Sequence, residues 1–474
     1  MNFSEEWRNS PVYRIWPLMI VATGLFACAP AAERAPTDGW PEARPVGASI
    51  LPKIPPEPPA FGPSGEIVPD EPSDELSLRD ALALALLKSP ELAVFSWEVR
   101  AANARILQAS LIPNPELGVE VENFGGSGTQ KSFEGAESTI ALSQLIELGG
   151  KRDKRTRVAT LERDLAGWDY EAKRLDVYIA TAKTFMKTLA AQRLAELRQE
   201  QLTLANRVLI SVSERVQAGR ASPLEEARAS VAMESSRVSA QRATRGLQAA
   251  RDQLVAMWGS TNARFTRATG ELDKISVLPP VTDLLVRLSE NPDLARMENE
   301  FELRRSNLAL AKANDMPDIT FSAGVRRFEE TGDNAFIAGF SIPIPVFGVN
   351  PGGILEAERR LSQQKSRQQA TAAGITSTLK EAYSEAAALY SEILALRSTI
   401  LPGAQKAFEA AQQGYAQGKF DFLEVLDAQR TFFEVRERYL LTAVAYHEVT
   451  LDLERLTGKA LIEPPGPAGD GNKK

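Results

Sequence analysis

The sequence predicts a mainly α-helical chain with a small β part, in which one unit, a β-hairpin followed by a long coiled-coil helical hairpin, occurs twice. The first observation is a repeated turn: Gly219 and Gly418 each end a helical stretch, and a Leu-Glu pair follows each glycine at the same spacing. The two turns lie 199 residues apart (418 − 219). The second observation is that short segments of alternating polarity precede each long stretch of helical periodicity. A turn that recurs with the same neighbours indicates internal duplication.

Composition excludes several classes of function. The chain has 474 residues and a net charge of −7, with acids and bases interspersed, so no basic surface favours binding to nucleic acid. Its single cysteine and single histidine, Cys28 and His447, are too few for a Cys/His metal site. The sequence has no glycine-rich phosphate loop, nucleophile elbow or His-containing triad. We therefore expect neither an enzyme nor a bound cofactor or metal, and we expect His447 to have a packing or surface role.

The N-terminal region predicts export and lipidation. Residues 15–27 form a short apolar run within a predicted signal peptide, 1–27, and the run is too short for a spanning helix. It ends in Leu-Phe-Ala-Cys, which resembles a bacterial lipoprotein signal with Cys28 as the lipidated residue. Cleavage of an ordinary signal nearby is the alternative. Residues 28–74 are rich in proline and predict an extended tether, and Ala29 after the cysteine favours an anchor in the outer membrane.

The first predicted repeat covers residues 75–270. Ser77 can cap its opening helix, whose apolar positions continue past Pro90 and stop before Pro113. Strands are predicted at 116–124 and 138–148, joined by a Gly/Ser-rich turn. In the first strand, apolar and acidic side chains alternate, which is typical of a strand with one apolar face. The apolar set is Leu117, Val119 and Val121, and the acidic set is Glu116, Glu120 and Glu122.

A helical hairpin completes the first repeat. From Lys151, apolar or small residues recur at alternating steps of four and three between 161 and 189, which indicates coiled-coil packing. The helical pattern continues to Gly219, so the helix would be on the order of 100 Å long. A second helix returns from Pro223 to Gly259, and the tip of the hairpin lies near residue 219.

The second predicted repeat covers residues 271–460. It has an opening helix, strands at 319–326 and 335–343, and a helical hairpin whose tip lies near residue 418. Gly458 closes it as Gly259 closes the first repeat, again 199 residues apart (458 − 259). The tail at 461–474 is predicted to be disordered.

Four amphipathic strands cannot close a barrel alone, and an open sheet edge is not tolerated in lipid because its backbone groups are unpaired. Strands embedded in a membrane must therefore be shared between subunits. Three chains would supply twelve strands, enough for a barrel with an open lumen. In such a barrel, Glu116, Glu120 and Glu122 would line the lumen if their apolar neighbours face lipid. The alternative is an ordinary solvated face.

The pattern resembles the TolC-like outer-membrane efflux family from Leu76 to about Gly458. The duplicated unit carries the resemblance together with two motifs. They are Tyr-x-x-Gly at 415–418 followed by Leu423, Glu424, Val425, Leu426, Asp427, Ala428 and Gln429, and the helix entry Ile146, Glu147, Leu148, Gly149, Gly150, Lys151 and Arg152. The second motif, with the lipoprotein start, is similar to the CzcC/CusC branch, which exports metal cations with resistance-nodulation-division (RND) pumps.

The resemblance implies a homotrimer: a 12-stranded outer-membrane β-barrel continued by a periplasmic α-helical tunnel, lipid-anchored and extending into the periplasm. Its tips would bind a periplasmic adaptor (membrane fusion) protein that is joined to an inner-membrane RND pump. The channel would passively conduct substrates, expected to be divalent heavy-metal cations. The implied adaptor contacts are Arg215, Gly219, Arg220, Tyr415, Gly418 and Lys419.

Glu424 and Asp427 occupy positions that carry an acidic constriction in members of this family. Phe420 stands where some members have a basic residue that locks the closed tip. The residues also admit local interpretations: acids favour the positive end of a helix dipole, and the tip glycines can be ordinary helix C-caps.

Two alternatives for the function stay open. The first is a channel for drugs or organic compounds, or for type I secretion. The second is a structural coiled-coil periplasmic lipoprotein, for which long heptads would suffice. This second alternative does not explain four alternating strands placed identically in both halves.

Overall fold

The computed structural model describes residues 45, 71–348 and 350–461. The predicted signal peptide, Cys28, most of the predicted tether and nearly all of the predicted tail lie outside these residues.

The described part of the chain is mainly helical with a small β part, and the predicted duplicated fold is confirmed. The first half contains β1 (Glu75–Ser77), α1 (Leu78–Lys88), α2 (Pro90–Ser110), β2 (Glu116–Glu122), β3 (Glu137–Ile146), α3 (Lys151–Gln217), α4 (Pro223–Ala256) and β4 (Arg267–Thr269). The second half contains α5 (Val281–Arg287), α6 (Pro292–Asn314), β5 (Ile319–Phe328), β6 (Asn334–Ser341), α7 (Pro351–Ala395), α8 (Leu401–Ala416) and α9 (Phe422–Thr457).

The chain enters the fold through contacts that the sequence did not predict. β1 pairs in parallel with β4, and the Asp74 carbonyl accepts hydrogen bonds from the backbone of Thr266 and Arg267. The last residues of the predicted tether are thus fixed to the end of the first half. Ser77 caps α1 as predicted. The opening helix is two helices rather than one, because Pro90 lacks an N–H and begins α2 as its first residue.

The four longer strands form one antiparallel sheet in the order β2-β3-β5-β6. β3 and β5 pair along their whole length, from Glu137 opposite Phe328 to Ile146 opposite Ile319, so the two hairpins make a single sheet. The register gives the sheet one largely apolar face, to which all four strands contribute exposed side chains, and one polar or small-residue face. The exposed apolar side chains include Leu117, Val119, Val121, Ile140, Leu142, Phe321, Phe336 and Phe340.

Both edges of this sheet, β2 and β6, have no further strand beside them in the described chain. All four connections to the helices leave the sheet at the same end, and the two hairpin turns lie at the opposite end. No helix among the described residues is long and apolar enough to cross a membrane.

The helices form two hairpins, each with an apolar core, and α9 also contributes Val444 to the core of the first. In the first, Phe185 and Leu189 of α3 pack with Leu254 and Trp258 at the end of the return helix. In the second, Leu379 and Ile393 of α7 are buried with the α9 residues Tyr446, Val449 and Leu453. The sequence did not predict the buried ion pair of Glu171 and Arg174, which are 2.7 Å apart within α3.

Ion pairs join the two halves along the antiparallel helices α3 and α9. Five pairs with N···O distances of 2.5–3.3 Å follow one another along the contact, and α3 supplies the cation of the middle three pairs while α9 supplies that of the first and last. Because most of these side chains are partly exposed, each pair adds little stability by itself, and the series chiefly fixes the register. The pairs are Asp176 with Arg455, Lys183 with Asp452, Lys187 with Glu448, Arg198 with Glu437 and Glu200 with Arg436.

The halves differ in one helix. α3 runs without interruption for 67 residues, whereas a π-helical turn, Leu396–Ile400, separates α7 from α8. Pro402, the second residue of α8, follows this turn and supplies no N–H to the helix. The π-helical turn interrupts the regular ladder of α-helical hydrogen bonds shortly before the proline. The helix that reaches the second tip, α8, is therefore a short segment that the π-helical turn divides from α7.

Candidate functional site

The two helical tips are built in the same way, from a helix end and a helix start. At the first tip, the Arg220 N–H bonds to the Arg215 carbonyl and the Gly219 N–H to the Val216 carbonyl. This pair of bonds is a Schellman motif, which requires the positive φ of 68° that Gly219 adopts. Three residues later, Ser222 and Glu225 form a capping box that starts α4.

The second tip repeats these bonds. Lys419 and Gly418 donate to the carbonyls of Gly414 and Tyr415, and Gly418 has a φ of 71°. Asp421 and Glu424 then form the capping box of α9. The local interpretation of both glycines as C-caps is thus correct. It leaves their predicted role in binding a partner open, since the turns are exposed and space is free beside each glycine.

The tips are bound to each other through Tyr415. Its hydroxyl donates to Glu225 Oε2 at 3.1 Å, and its carbonyl accepts from Arg215 Nη1 at 3.1 Å. The Arg215 guanidinium also lies over the tyrosine ring, 4.2 Å from its centroid. Burial raises the pKa of the Tyr415 phenol above its ordinary value of 10, so the hydroxyl stays protonated and donates at neutral pH.

Apolar contacts support this link. Phe422 is buried with Val212 of α3 and Ala229 of α4, and its ring centroid lies 5.6 Å from that of Tyr415. Three long helices thus converge on one small cluster at the tip. Of the six residues predicted to contact an adaptor, Arg215 and Tyr415 are engaged in this internal link, whereas Arg220 and Lys419 are exposed at the end of the helices.

Glu424 and Asp427 are exposed in α9, and each has a local partner. Glu424 Oε2 accepts from the Asp421 N–H at 3.2 Å as part of the capping box, and Asp427 pairs with Arg430 at 3.1 Å. Among the described residues, no group of three or more His, Cys, Asp or Glu side chains is arranged to hold a metal ion. Within one chain the two acids therefore have structural roles at the helix start.

Phe420 lies between these acids and the tip glycine. Its ring is packed against Gly414, where a Cβ atom would overlap the ring carbons. The side chain is about half exposed. The position that the resemblance associates with a basic lock is thus occupied by an aromatic ring held against its own helix end.

On the polar face of the sheet, Arg326 connects three strands. Its guanidinium bonds to Glu122 of β2 at 3.0 Å and to Glu137 of β3 at 2.9 Å, and its Nε donates to Thr139 Oγ1 at 2.9 Å. The structure therefore pairs Glu122, one of the three predicted lumen acids, with a cation. Glu116 and Glu120 lie on the same face and are exposed.

His447 is buried in α9, and its Nε2 lies 2.9 Å from the Leu272 carbonyl. Burial lowers the pKa of this imidazole below its ordinary 6.5. The neighbouring Tyr446 hydroxyl donates to the Ser276 carbonyl at 2.5 Å. Both side chains fix the connection between the two halves, which is the packing role expected for this histidine.

Comparison with known proteins identifies the family to which this architecture belongs. The family described as outer membrane efflux protein matches residues 81–260 and 286–459. The cobalt-zinc-cadmium resistance protein CzcC of Cupriavidus metallidurans is 33% identical, over 83% of this chain and 92% of the relative. The nickel-cobalt-cadmium resistance protein NccC of Alcaligenes xylosoxydans xylosoxydans is 26% identical, over 67% of this chain and 71% of the relative.

Two solved structures share the fold. CusC, whose structures concern folding and transmembrane channel formation, superposes with a TM-score of 0.68 at 20% identity, over 80% of this chain and 91% of CusC. The outer membrane protein VceC of Vibrio cholerae gives a TM-score of 0.66 at 19% identity, over 81% of this chain and 97% of VceC. The family match includes both tips and both halves of the sheet. This chain belongs to the outer membrane efflux protein family.

Proposed function

We propose that this chain is the outer-membrane channel of a tripartite RND-type efflux system and passively conducts divalent heavy-metal cations from the periplasm to the exterior. The observation that carries the proposal is the four-stranded sheet. It has two faces of different polarity and two unpaired edges, and it stands above long helices that end in two joined tips.

The free edges support a closed assembly of three copies. β2 of one copy can pair with β6 of the next, so that three sheets form a barrel of twelve strands without an edge. The largely apolar face then meets lipid, and the face with Glu116, Glu120 and Arg326 lines the lumen. A structural coiled-coil lipoprotein would need neither these edges nor this division of polarity.

The tips support contact with a periplasmic adaptor. Arg220 and Lys419 project beyond the internal link, and the two glycine turns beside them are exposed. A trimer carries six such tips around one axis. Glu424 and Asp427 lie in the first two turns of α9, so a trimer has six of these carboxylates near its tips, and they would favour cations there.

We favour heavy-metal cations as the substrate because several relatives are named for resistance to such metals. The relative named for cobalt, zinc and cadmium resistance is 33% identical, whereas the pyoverdine export protein OpmQ of Pseudomonas aeruginosa is 25% identical. The runner-up function is efflux of organic compounds. The adaptor and the pump would decide between the substrates, since the channel passes what the pump delivers.

Lipidation of Cys28 is the remaining part of the proposal. The predicted lipoprotein signal supports it, as does similarity to the probable outer membrane lipoprotein SilC of Salmonella typhimurium, which is 23% identical. The intact mass of the mature protein tests it directly. We expect an acylated N-terminal cysteine, and an unmodified N-terminus at another residue would contradict lipidation without affecting the channel.

Deletion of the gene and complementation test the substrate. We expect the deletion strain to become sensitive to zinc, cobalt and cadmium and the wild-type gene to restore resistance. Unchanged metal resistance together with new sensitivity to organic compounds would favour the runner-up. Sensitivity to neither class would contradict an efflux role under these conditions.

Cross-linking tests the adaptor contact. Cysteines replacing Arg220 or Lys419 are expected to cross-link to a co-expressed adaptor, and a cysteine replacing Val238, which is also exposed but lies midway along α4, is the matched control. Cross-links at Val238 but at neither tip would contradict the proposed contact.

A further inference from the structure

The connection between β6 and α7 is the most exposed apolar segment outside a strand or helix in the described chain. Ile344, Val346 and Phe347 are 82%, 67% and 96% exposed, and Pro343 and Pro345 each precede one of the first two. The charge pattern around the segment is unusual. Residues 334–355 contain no Asp, Glu, Lys, Arg or His in a chain of which 25% is charged.

The equivalent connection of the first half, between β3 and α3, is held to the protein by charges. Glu147 pairs with Arg155 at 2.6 Å, and Asp318 accepts from Lys151 at 2.7 Å and from the Leu148 N–H at 2.9 Å. Both connections leave the same end of the sheet. The two connections therefore differ at the same end of the sheet. The first is held to the helices by ion pairs, whereas the second is held through the Asn350 N–H, which donates to Asp315 at 2.9 Å, and exposes apolar side chains before that residue.

The backbone of the second connection is adapted to surroundings without water. Pro343 and Pro345 have no N–H, and the Val346 N–H is bonded to the Ile344 carbonyl at 2.9 Å. Three of the five residues 343–347 thus present no unpaired backbone donor. Such donors are costly in an apolar medium, so their removal matters most where lipid is the neighbour.

The same prolines argue against a paired strand of a second copy beyond the end of β6. An added strand needs N–H donors at alternating positions along the edge of β6, and prolines two residues apart remove them beyond Ser341. The segment also continues the line of exposed apolar residues Phe336, Phe340 and Ile342. Its surroundings are therefore continuous with the apolar face of the sheet.

We propose that residues 343–347 contact lipid and anchor the periplasmic rim of each subunit in the inner leaflet of the outer membrane. This inference rests on the proposed function, because it takes the apolar face of the sheet to meet lipid. An apolar rim at one depth of the bilayer would resist vertical displacement of the channel when the adaptor and pump pull on its tips.

Photocross-linking of the full chain in its native membrane tests this inference. The photoreactive residue benzoylphenylalanine replaces Phe347 in one variant, Phe336 in a second and Val238 in a third. All three native side chains are exposed, at 96%, 92% and 64%, and Val238 lies on a helix far from the sheet in sequence. After irradiation, adducts are analysed by mass spectrometry for lipid and by gel migration for cross-linked chains.

We expect lipid adducts at positions 347 and 336 with a yield severalfold above that at 238. Lipid at 336 combined with a protein adduct, or with no lipid adduct, at 347 would overturn the anchor while leaving the proposed barrel intact. Absence of lipid adducts at both 347 and 336 would overturn the barrel and, with it, the anchor.

Discussion

Tyr415 and Glu225 join the two halves of the chain at their tips: the tyrosine hydroxyl near the end of α8 donates to the carboxylate in the first turn of α4, at 3.1 Å. Glu225 also accepts from the Ser222 N–H in the capping box, so one side chain both starts its own helix and holds the neighbouring tip. Because Glu225 does both, a change that disrupts the start of α4 at the first tip should also shift Tyr415 at the second.

Replacing Tyr415 with Phe removes this hydrogen bond and keeps the ring under Arg215. We expect the free energy of unfolding to fall by about 1 kcal/mol, the usual net contribution of such a bond. Because the tips are then less firmly joined, we also expect larger single-channel conductance and greater sensitivity of cells to bulky antibiotics. Unchanged conductance would mean that the link does not restrict the tip.

Asp80 provides the matched control for Glu225. Each carboxylate completes a capping box, but only Glu225 contacts Tyr415. Replacing either with Ala should cost about 1 kcal/mol in lost capping. Only Glu225→Ala should also open the tip, and combining it with Tyr415→Phe should add little further effect. Equal conductance changes in the two single variants would contradict the link.

The tip glycines should not tolerate a side chain. Gly418→Ala forces a residue with a Cβ into a left-handed conformation with φ near 71°, which costs on the order of 1–2 kcal/mol. Gly246 lies within α4 with open space around it, and Gly246→Ala should stabilise by about 0.5–1 kcal/mol through helix propensity. Thermal unfolding of both variants checks this, and a Gly418→Ala midpoint at or above wild type would contradict the prediction.

Arg326 and Arg327 are neighbours on opposite faces of β5. Arg326→Met leaves Glu122 and Glu137 without their shared cation and should lower stability by on the order of 1–2 kcal/mol. Arg327 pairs with Glu329 at an exposed turn, where water screens the charges, so Arg327→Met should leave stability nearly unchanged. Heating each protein until the β-sheet signal is lost measures the difference. Equal midpoints would show that Arg326 does not hold the strands together.

His447 should make the free energy of unfolding fall as the pH is lowered through the mildly acidic range. Its folded pKa lies below 6.5 because burial disfavours the charged imidazole. The stability that the buried neutral imidazole provides is therefore fully present above the pKa of the unfolded chain, about 6.5. It is lost as the pH falls through the folded pKa. As the single histidine of the chain, it gives one set of imidazole resonances in a histidine-labelled sample, and their shift with pH reports the pKa of this residue alone. A measured pKa of 6.5 or higher would contradict the assignment.

Residues close in sequence predicted much of this architecture. The alternation of Leu117, Val119 and Val121 predicted β2, because each strand must give one face to apolar surroundings. Gly219 and Gly418 predicted the tips, since a Schellman motif needs a residue that adopts positive φ. The cap at Ser77 was predicted on the same local grounds.

Contacts between distant residues could not be predicted in this way. The bonds from Tyr415 to Glu225 and from Arg326 to Glu122 depend on helix packing and strand register, which local periodicity does not determine. β1 is three residues long, too short for a period of two to be recognised. The division of the second hairpin at Pro402 was missed because apolar spacing continues through the π-helical turn.

Single-channel recording of the purified protein in planar lipid bilayers is the most direct test of the proposed channel. We predict trimers that conduct, prefer cations and are blocked by trivalent cations, and we predict that Glu424→Gln combined with Asp427→Asn lowers both the preference and the block while conductance persists. A purified protein that inserts into the bilayer without conducting would contradict a channel. Conductance with the same selectivity and block in the double variant would contradict the acidic constriction.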